Sequence, residues 1–212
     1  MKIKNAILIT MLMFFVGESN AFWPWIHTGK ITRPVLEQEG FESEAIWYIG
    51  TANSLVDIHQ FSPQLHADDN MLGDASFELR ERRKSVIEKL KACDGDAARE
   101  HFGQALHTVQ DIYSHSNAVD DGLEGLLSGD LILNHLSNST ADCIPILLGV
   151  IRSFNSSELV TGYFGGQPDD VPFQTCTHTI LNKDGFPSND GLPHFEAVQA
   201  AKAGTLNYLN LI

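Results

Sequence analysis

Residues 102–117 read FGQALHTVQDIYSHSN, with His107, Asp111 and His115 four positions apart. Phe102, Ala105, Leu106, Val109, Ile112 and Tyr113 recur around them at helical spacing, so the stretch predicts a helix. Steps of four residues then set the three polar side chains on one stripe of that helix. By periodicity alone the stripe is a solvated face. Its composition argues otherwise: Glu100, Gln104, His107, Asp111 and His115 include none of the Lys or Arg that solvent-facing stripes carry for helix propensity and solubility. Imidazole and carboxylate are the non-thiolate ligands of zinc, and successive turns bring them close enough to share one or two ions. The i, i+4 histidine pair of zinc proteases uses the same spacing. The stripe is read as a metal-ligand array.

Outward from this helix, period-two alternation is scarce and helical periodicity recurs. Ser43 to about Asp57 repeats apolar residues at Ile46, Ile49, Ala52 and Val56, and Asp74 to Cys93 does so through Phe77, Val86, Ile87 and Leu90. Asp96 is placed to cap the ligand-bearing helix, Gly122 to about Leu136 is apolar enough to be buried, and Pro193 opens a last helix through Val198, Ala201, Leu206 and Leu209. Between them, Asn155 to Gly191 is rich in Gly, Pro and Asn and predicts a long irregular loop. With no repeat or linker, the expectation is an all-α, single-domain helical bundle with that loop before the last helix. Its polar interior would need metal to be tolerable.

Residues 1–21 carry Lys2 and Lys4, an apolar run from Ala6 to Gly17 and the small residues Ser19 and Ala21, the pattern of a secretory signal peptide. The domain is then expected over 22–212, secreted or periplasmic, with no transmembrane segment. The formal net charge of −13 repels polyanions, so stable nucleic-acid binding is not expected, although bound cations would reverse the field locally. Cys93, Cys143 and Cys176 show no CxxC spacing. In an oxidising compartment they predict one disulfide and one leftover thiol, with Cys143 and Cys176 the expected pair. Spacing alone does not decide that pairing.

Six strings taken together, HTGKITRPVLEQEGF, HADDN, ALHTVQDIYSHSN, LVTGYFG, CTHTILNKDG and PHFEA, resemble the HET-C family. That family is similar to bacterial zinc-dependent phospholipase C and to the zinc single-strand nucleases of fungi. The resemblance covers nearly all of residues 22–212 and implies an α-helical fold holding up to three zinc ions. It implies ligation by the terminal amine of Phe22 after signal cleavage and by His27, then by Asp57 and His66. His107 and Asp111 match the HxxxD pair, and His115 fits the HET-C pattern. Three departures stand out: relatives usually begin with Trp rather than Phe22, the gap from Asp57 to His66 is shorter, and apart from His107 with Asp111 no His is followed four residues later by the acid that would close the second zinc site. His135 is followed at that spacing by Ser139 and His194 by Val198, so the remaining ligand candidates are His178 first, then Asp184 and His194.

The resemblance implies a zinc-dependent phosphodiester hydrolase of phospholipase C type, with Asp57 both ligand and general base for the attacking water. Phospholipid is the expected substrate, met in transient contact with a membrane surface. A zinc single-strand nuclease is the first alternative, for which 155–191 offers only Tyr163, Phe164, Phe173 and Phe186 with Lys183. A non-catalytic secreted binding module of the same fold is the second. His59, His101 and His135 are assigned to structure or solvent, Trp23 and Trp25 to core or rim, and Asp68 and Asp69 to capping a loop.

Overall fold

Propensity argues against a helix at residues 26–38, where Thr28, Gly29, Ile31, Thr32 and Pro34 cluster. In the computed structural model the chain nonetheless coils there, as a wide π-helical segment, Ile26–Thr32, that runs into α1 (Arg33–Gln38). Burial of Ile26, Ile31, Val35 and Leu36 outweighs propensity, and Pro34 falls in the first turn of α1, the helical position that tolerates proline best. The structure describes residues 25–119, 133, 143–146, 150–153, 159–162, 183 and 191–212, with backbone alone at 143–146, 150–153 and 191–193. The signal segment 1–21, Phe22, His178, Asp184, the Cys143–Cys176 bond, the expected helix over 122–136 apart from Leu133, and most of 155–191 lie outside the described residues.

The order continues with α2 (Ser43–Leu55), a 3-10 turn (Val56–His59), α3 (Pro63–His66), α4 (Leu72–Lys91), α5 (Gly95–His115), a hairpin of β1 (Cys143–Ile146) and β2 (Val150–Ser153), and α6 (Gly191–Leu209). The strands are antiparallel, with Cys143 opposite Ser153 and Ile146 opposite Val150. The fold is a single all-α domain to which this short hairpin is added. No helix among the described residues is long and apolar enough to cross a membrane.

Central to the bundle is α5, which packs on α2, α4 and α6. Its N-cap is Asp94, whose carboxylate accepts the Ala97 N–H at 3.3 Å, rather than the expected Asp96. Cys93 takes a left-handed φ of 59° to turn the chain out of α4, so the helix starts at Gly95, and Asp96 falls in its first turn, paired with Arg99 at 2.7 Å. Two glycines bring backbones close. A Cβ on Gly103 would meet Ala52 Cβ at 2.8 Å and the Asn53 nitrogen at 3.0 Å, and one on Gly204 would collide with the Tyr113 ring. Through these crossings Asn53 of α2 and Thr205 of α6 reach the middle of α5, between the apolar core of Ile46, Ile49, Leu79, Phe102, Leu106 and Val109 and the polar stripe.

Candidate metal centre

The stripe on α5 faces inward: His107 and Asp111 have no exposed surface and His115 is 1% exposed. Around Asp111 three imidazoles converge. His27, from the π-helical segment, brings Nε2 to 3.3 Å from Asp111 Oδ1. His66, at the end of α3, and His107, one turn before Asp111, each bring a ring nitrogen to 3.0 Å from Oδ2. The same two nitrogens, His66 Nδ1 and His107 Nε2, lie 3.1 Å apart. Asp57, in the 3-10 turn that ends α2, reaches His107 Nε2 at 3.6 Å. The His27 and His107 rings stack with centroids 4.5 Å apart, while His66 meets His107 edge-on at 5.0 Å. His27, His107 and Asp111 form one triad with a ligand atom from each within 4.8 Å of the others, and Asp57, His66 and His107 form a second. The two share His107, so they are one continuous centre.

Two features decide whether a divalent cation fits. In a tetrahedral set with zinc bonds of ~2.0–2.1 Å, neighbouring ligand atoms lie about 3.3 Å apart, and the separations of 3.0 to 3.6 Å straddle that value. Asp57 Oδ2 and His66 Nε2 are shielded from solvent with no hydrogen-bond partner, a state that costs ~1–3 kcal/mol for each ordinary polar group left so. Nitrogen and oxygen donors with unused lone pairs suit zinc. The donor set fits.

Protonation follows from the crowding. Burial raises Asp111, but the charge of and hydrogen bond from His107, with His115 and His27 behind them, hold it well below the usual carboxylate range. Burial also opposes protonation of His27 and His66, yet in both the hydrogen bond to Asp111 and its charge prevail and the pKa is raised. For His107 burial wins and the value is lowered. Burial likewise pushes Asp57 up, against the lowering influence of His107 and His27.

A second pairing lies beside the first. After α3 the HADDN stretch turns sharply through Ala67, Asp69 and Asn70, all at positive φ, between 53° and 57°. The turn is stitched to residues 160–162. Asn70 N donates to Thr161 Oγ1 at 2.9 Å, Thr161 N to Asn70 Oδ1 at 2.7 Å, and Asp69 N to the Gly162 carbonyl at 2.8 Å. The same residues also close the end of α5, where Gly162 N donates to the His115 carbonyl and Ser116 bridges to Thr161. Lys183 adds its ammonium at 2.7 Å from the Ser116 carbonyl, a favourable charge at a helix C-terminus. The result aims Asp68 Oδ1 at His115 Nδ1, 3.1 Å away.

Of the expected ligands, His27, Asp57, His66, His107 and Asp111 come together. His115 turns inward but pairs with Asp68 rather than joining Asp57 and His66. His194 lies apart, half-buried at the start of α6, with Nδ1 at 2.7 Å from the Lys183 carbonyl. His59 is exposed, and His101 faces Arg82 at 3.3 Å. Asp68 is no mere loop cap, since it is 2% exposed and faces a stripe histidine. Residue reasoning also passed over Asn53 and Gln110, which hold His107 Nδ1 and His27 Nδ1 at 3.3 and 2.6 Å. The signal was present: each is an amide at an otherwise apolar helix position, Asn53 seven residues after Ile46 and Gln110 four after Leu106.

The model of the VWA7 N-terminal domain family matches residues 35–212. The chain is 30% identical over 187 residues to von Willebrand factor A domain-containing protein 7 of Homo sapiens, an alignment covering 76% of this chain and 21% of that protein. For the Mus musculus protein of the same name the identity is 29% over 199 residues, covering 82% of this chain and 22% of the relative. The chain thus spans about a fifth of the length of these curated relatives. No solved structure matches it. By the match over residues 35–212, the chain belongs to the VWA7 N-terminal domain family.

Proposed function

We propose that this domain is a secreted or periplasmic zinc-dependent phosphodiester hydrolase of phospholipase C type, acting on phospholipid in transient contact with a membrane surface. One observation carries the metal-dependent reading: five ligand-type side chains from four elements, Asp111 among them, form one largely buried cluster, with Asp57 Oδ2 and His66 Nε2 shielded and unpartnered. The phospholipid assignment draws on the HET-C resemblance and on the net charge of −13, which disfavours long nucleic acids. His27, Asp57, His66, His107 and Asp111 would hold the cation or cations. When bound, such cations supply Lewis acidity to a phosphoryl oxygen and make an attacking water more acidic. Asp57 has the remaining role: its side chain is 12% exposed, while those of His27, His107 and Asp111 are closed off. A carboxylate at the edge of the centre, with its pKa raised by burial, is suited to take the proton of that water as general base.

The test is metal analysis of the purified full chain alongside hydrolysis of phosphatidylcholine vesicles and of single-stranded DNA. Zinc in the protein with release of phosphocholine is the expected result, and zinc with DNA cleavage alone would transfer the assignment to the nuclease alternative. The near-complete burial of the ligands favours one further reading, a non-catalytic module stabilised by metal, because structural zinc sites are closed whereas catalytic ones keep an open position. Bound zinc with neither activity would establish that reading.

A further inference from the structure

Behind the centre lies a buried network of two amides and two hydroxyls. Gln110 Oε1 is 2.6 Å from His27 Nδ1 and accepts from Asn53 Nδ2 at 3.1 Å. Gln110 Nε2 donates to Thr32 Oγ1 at 2.9 Å and to Thr205 Oγ1 at 3.1 Å. Asn53 Nδ2 also donates to Thr32 Oγ1, at 3.3 Å, and Asn53 Oδ1 lies 3.3 Å from His107 Nδ1. All four residues have no exposed surface, and they come from the π-helical segment, α2, α5 and α6.

The orientation of the amides can be argued from their partners. Turning over Gln110 alone would set two NH2 groups against each other, and turning over Asn53 alone would set two carbonyl oxygens against each other. Turning over both keeps their mutual bond, but then two carbonyl oxygens ask Thr32 for its single hydroxyl proton. In the observed orientation its two lone pairs accept both N–H groups. The turned-over arrangement makes one hydrogen bond fewer. Because an amide oxygen only accepts, each ring nitrogen facing one carries the hydrogen. We propose that Asn53 and Gln110, oriented by Thr32, are positioning residues that keep the hydrogens of both His27 and His107 on Nδ1, presenting both Nε2 lone pairs toward Asp111. In the opposite orientation both rings would carry Nε2–H and aim it where a cation is to bind. The relay couples the two histidines, so neither changes tautomer without the other.

This inference rests on the proposed metal centre, and its test separates the two. Nitrogen-15 spectra of the wild-type imidazoles, recorded on the alkaline side of their titrations as followed by the spectra themselves, are expected to show Nδ1 protonated and Nε2 bare for both His27 and His107. Nε2–H in both rings would overturn the relay whether or not the chain binds metal or hydrolyses anything. Zinc affinity, measured by competition with a chromophoric chelator, adds a second readout. Gln110→Leu is expected to bind ~10–100-fold more weakly, the usual effect of losing the partner behind a histidine ligand. Gln110→Glu, which still accepts from His27 Nδ1, should bind at least as tightly as wild type. Equal affinity in wild type and Gln110→Leu would also overturn the proposal. A wild type that binds no zinc would refute the metal centre and leave the tautomer measurement decisive for the relay.

Discussion

Asp111 is the residue on which the site turns, since all three imidazoles of the inner cluster are paired with it. Its carboxylate is held ionised against burial chiefly by His107, so removing the charge while keeping the shape tests the electrostatics rather than the packing. Asp111→Asn is expected to cut metal occupancy by more than the ~10–100-fold that changes behind a ligand cost. Metal analysis of the purified variant checks this, with circular dichroism to show that the helices persist. Stoichiometric metal in Asp111→Asn would mean the cation lies elsewhere.

At the scale of elements, the site depends on a turn and a crossing. The HADDN turn needs three non-glycine residues at positive φ, which Asp and Asn tolerate better than most because their short polar side chains bond locally. Asn70 does so across the chain, accepting the buried Thr161 N–H. Asn70→Ala keeps the strained backbone and strands that donor, so it should destabilise by about 1–3 kcal/mol. At ~2–4 °C per kcal/mol for a chain of this size, the melting temperature is a sufficient readout. An unchanged midpoint would show that the turn is held by other contacts. The crossing at Gly103 explains why α2 and α5 approach closely enough for Asn53 to reach His107.

For the whole molecule, metal and folding are linked. Ligands drawn from the π-helical segment, the 3-10 turn, α3 and α5 meet only in the folded chain, so a bound cation adds stability by mass action, about 2.7 kcal/mol at a hundredfold excess over Kd. Chelation is expected to lower the melting temperature, and the size of the fall should depend on pH. In the metal-free chain His27 and His66 have pKa values raised above 6.5. Their contribution is full below the unfolded value and is lost as pH rises through the folded ones. The loaded chain needs the same nitrogens deprotonated. The gap between loaded and chelated melting temperatures therefore widens as pH rises above 6.5 and narrows in acid. His107, lowered, stays neutral across that window and does not change the sign. A gap independent of pH would count against imidazole ligation.

Much of the fold was legible because helical periodicity is a local property: the spacing of Ile46 with Ile49 and of Leu106 with Val109 specifies which face those helices bury, whatever they pack against, whereas in α4 the expected apolar face was only half right, since Val86 is buried with Leu79 but Phe77 and Leu90 are exposed. The ligand stripe was legible for the same reason, since i and i+4 residues are neighbours on any helix. What only the tertiary structure decided is where that stripe points and what meets it. His27 reaches Gln110 across 83 residues of sequence, and His66 reaches Asp111 across 45, through contacts that depend on a π-helical segment disfavoured by propensity and on a left-handed turn. The pairing of Asp68 with His115 depends on the turn at 67–70 being bound to residues 161 and 162, and the amides of Asn53 and Gln110 come together behind the centre through helix crossings that the missing Cβ atoms of Gly103 and Gly204 permit. Such crossings join residues far apart in the chain, and a periodicity confined to one helix holds no information about its neighbour.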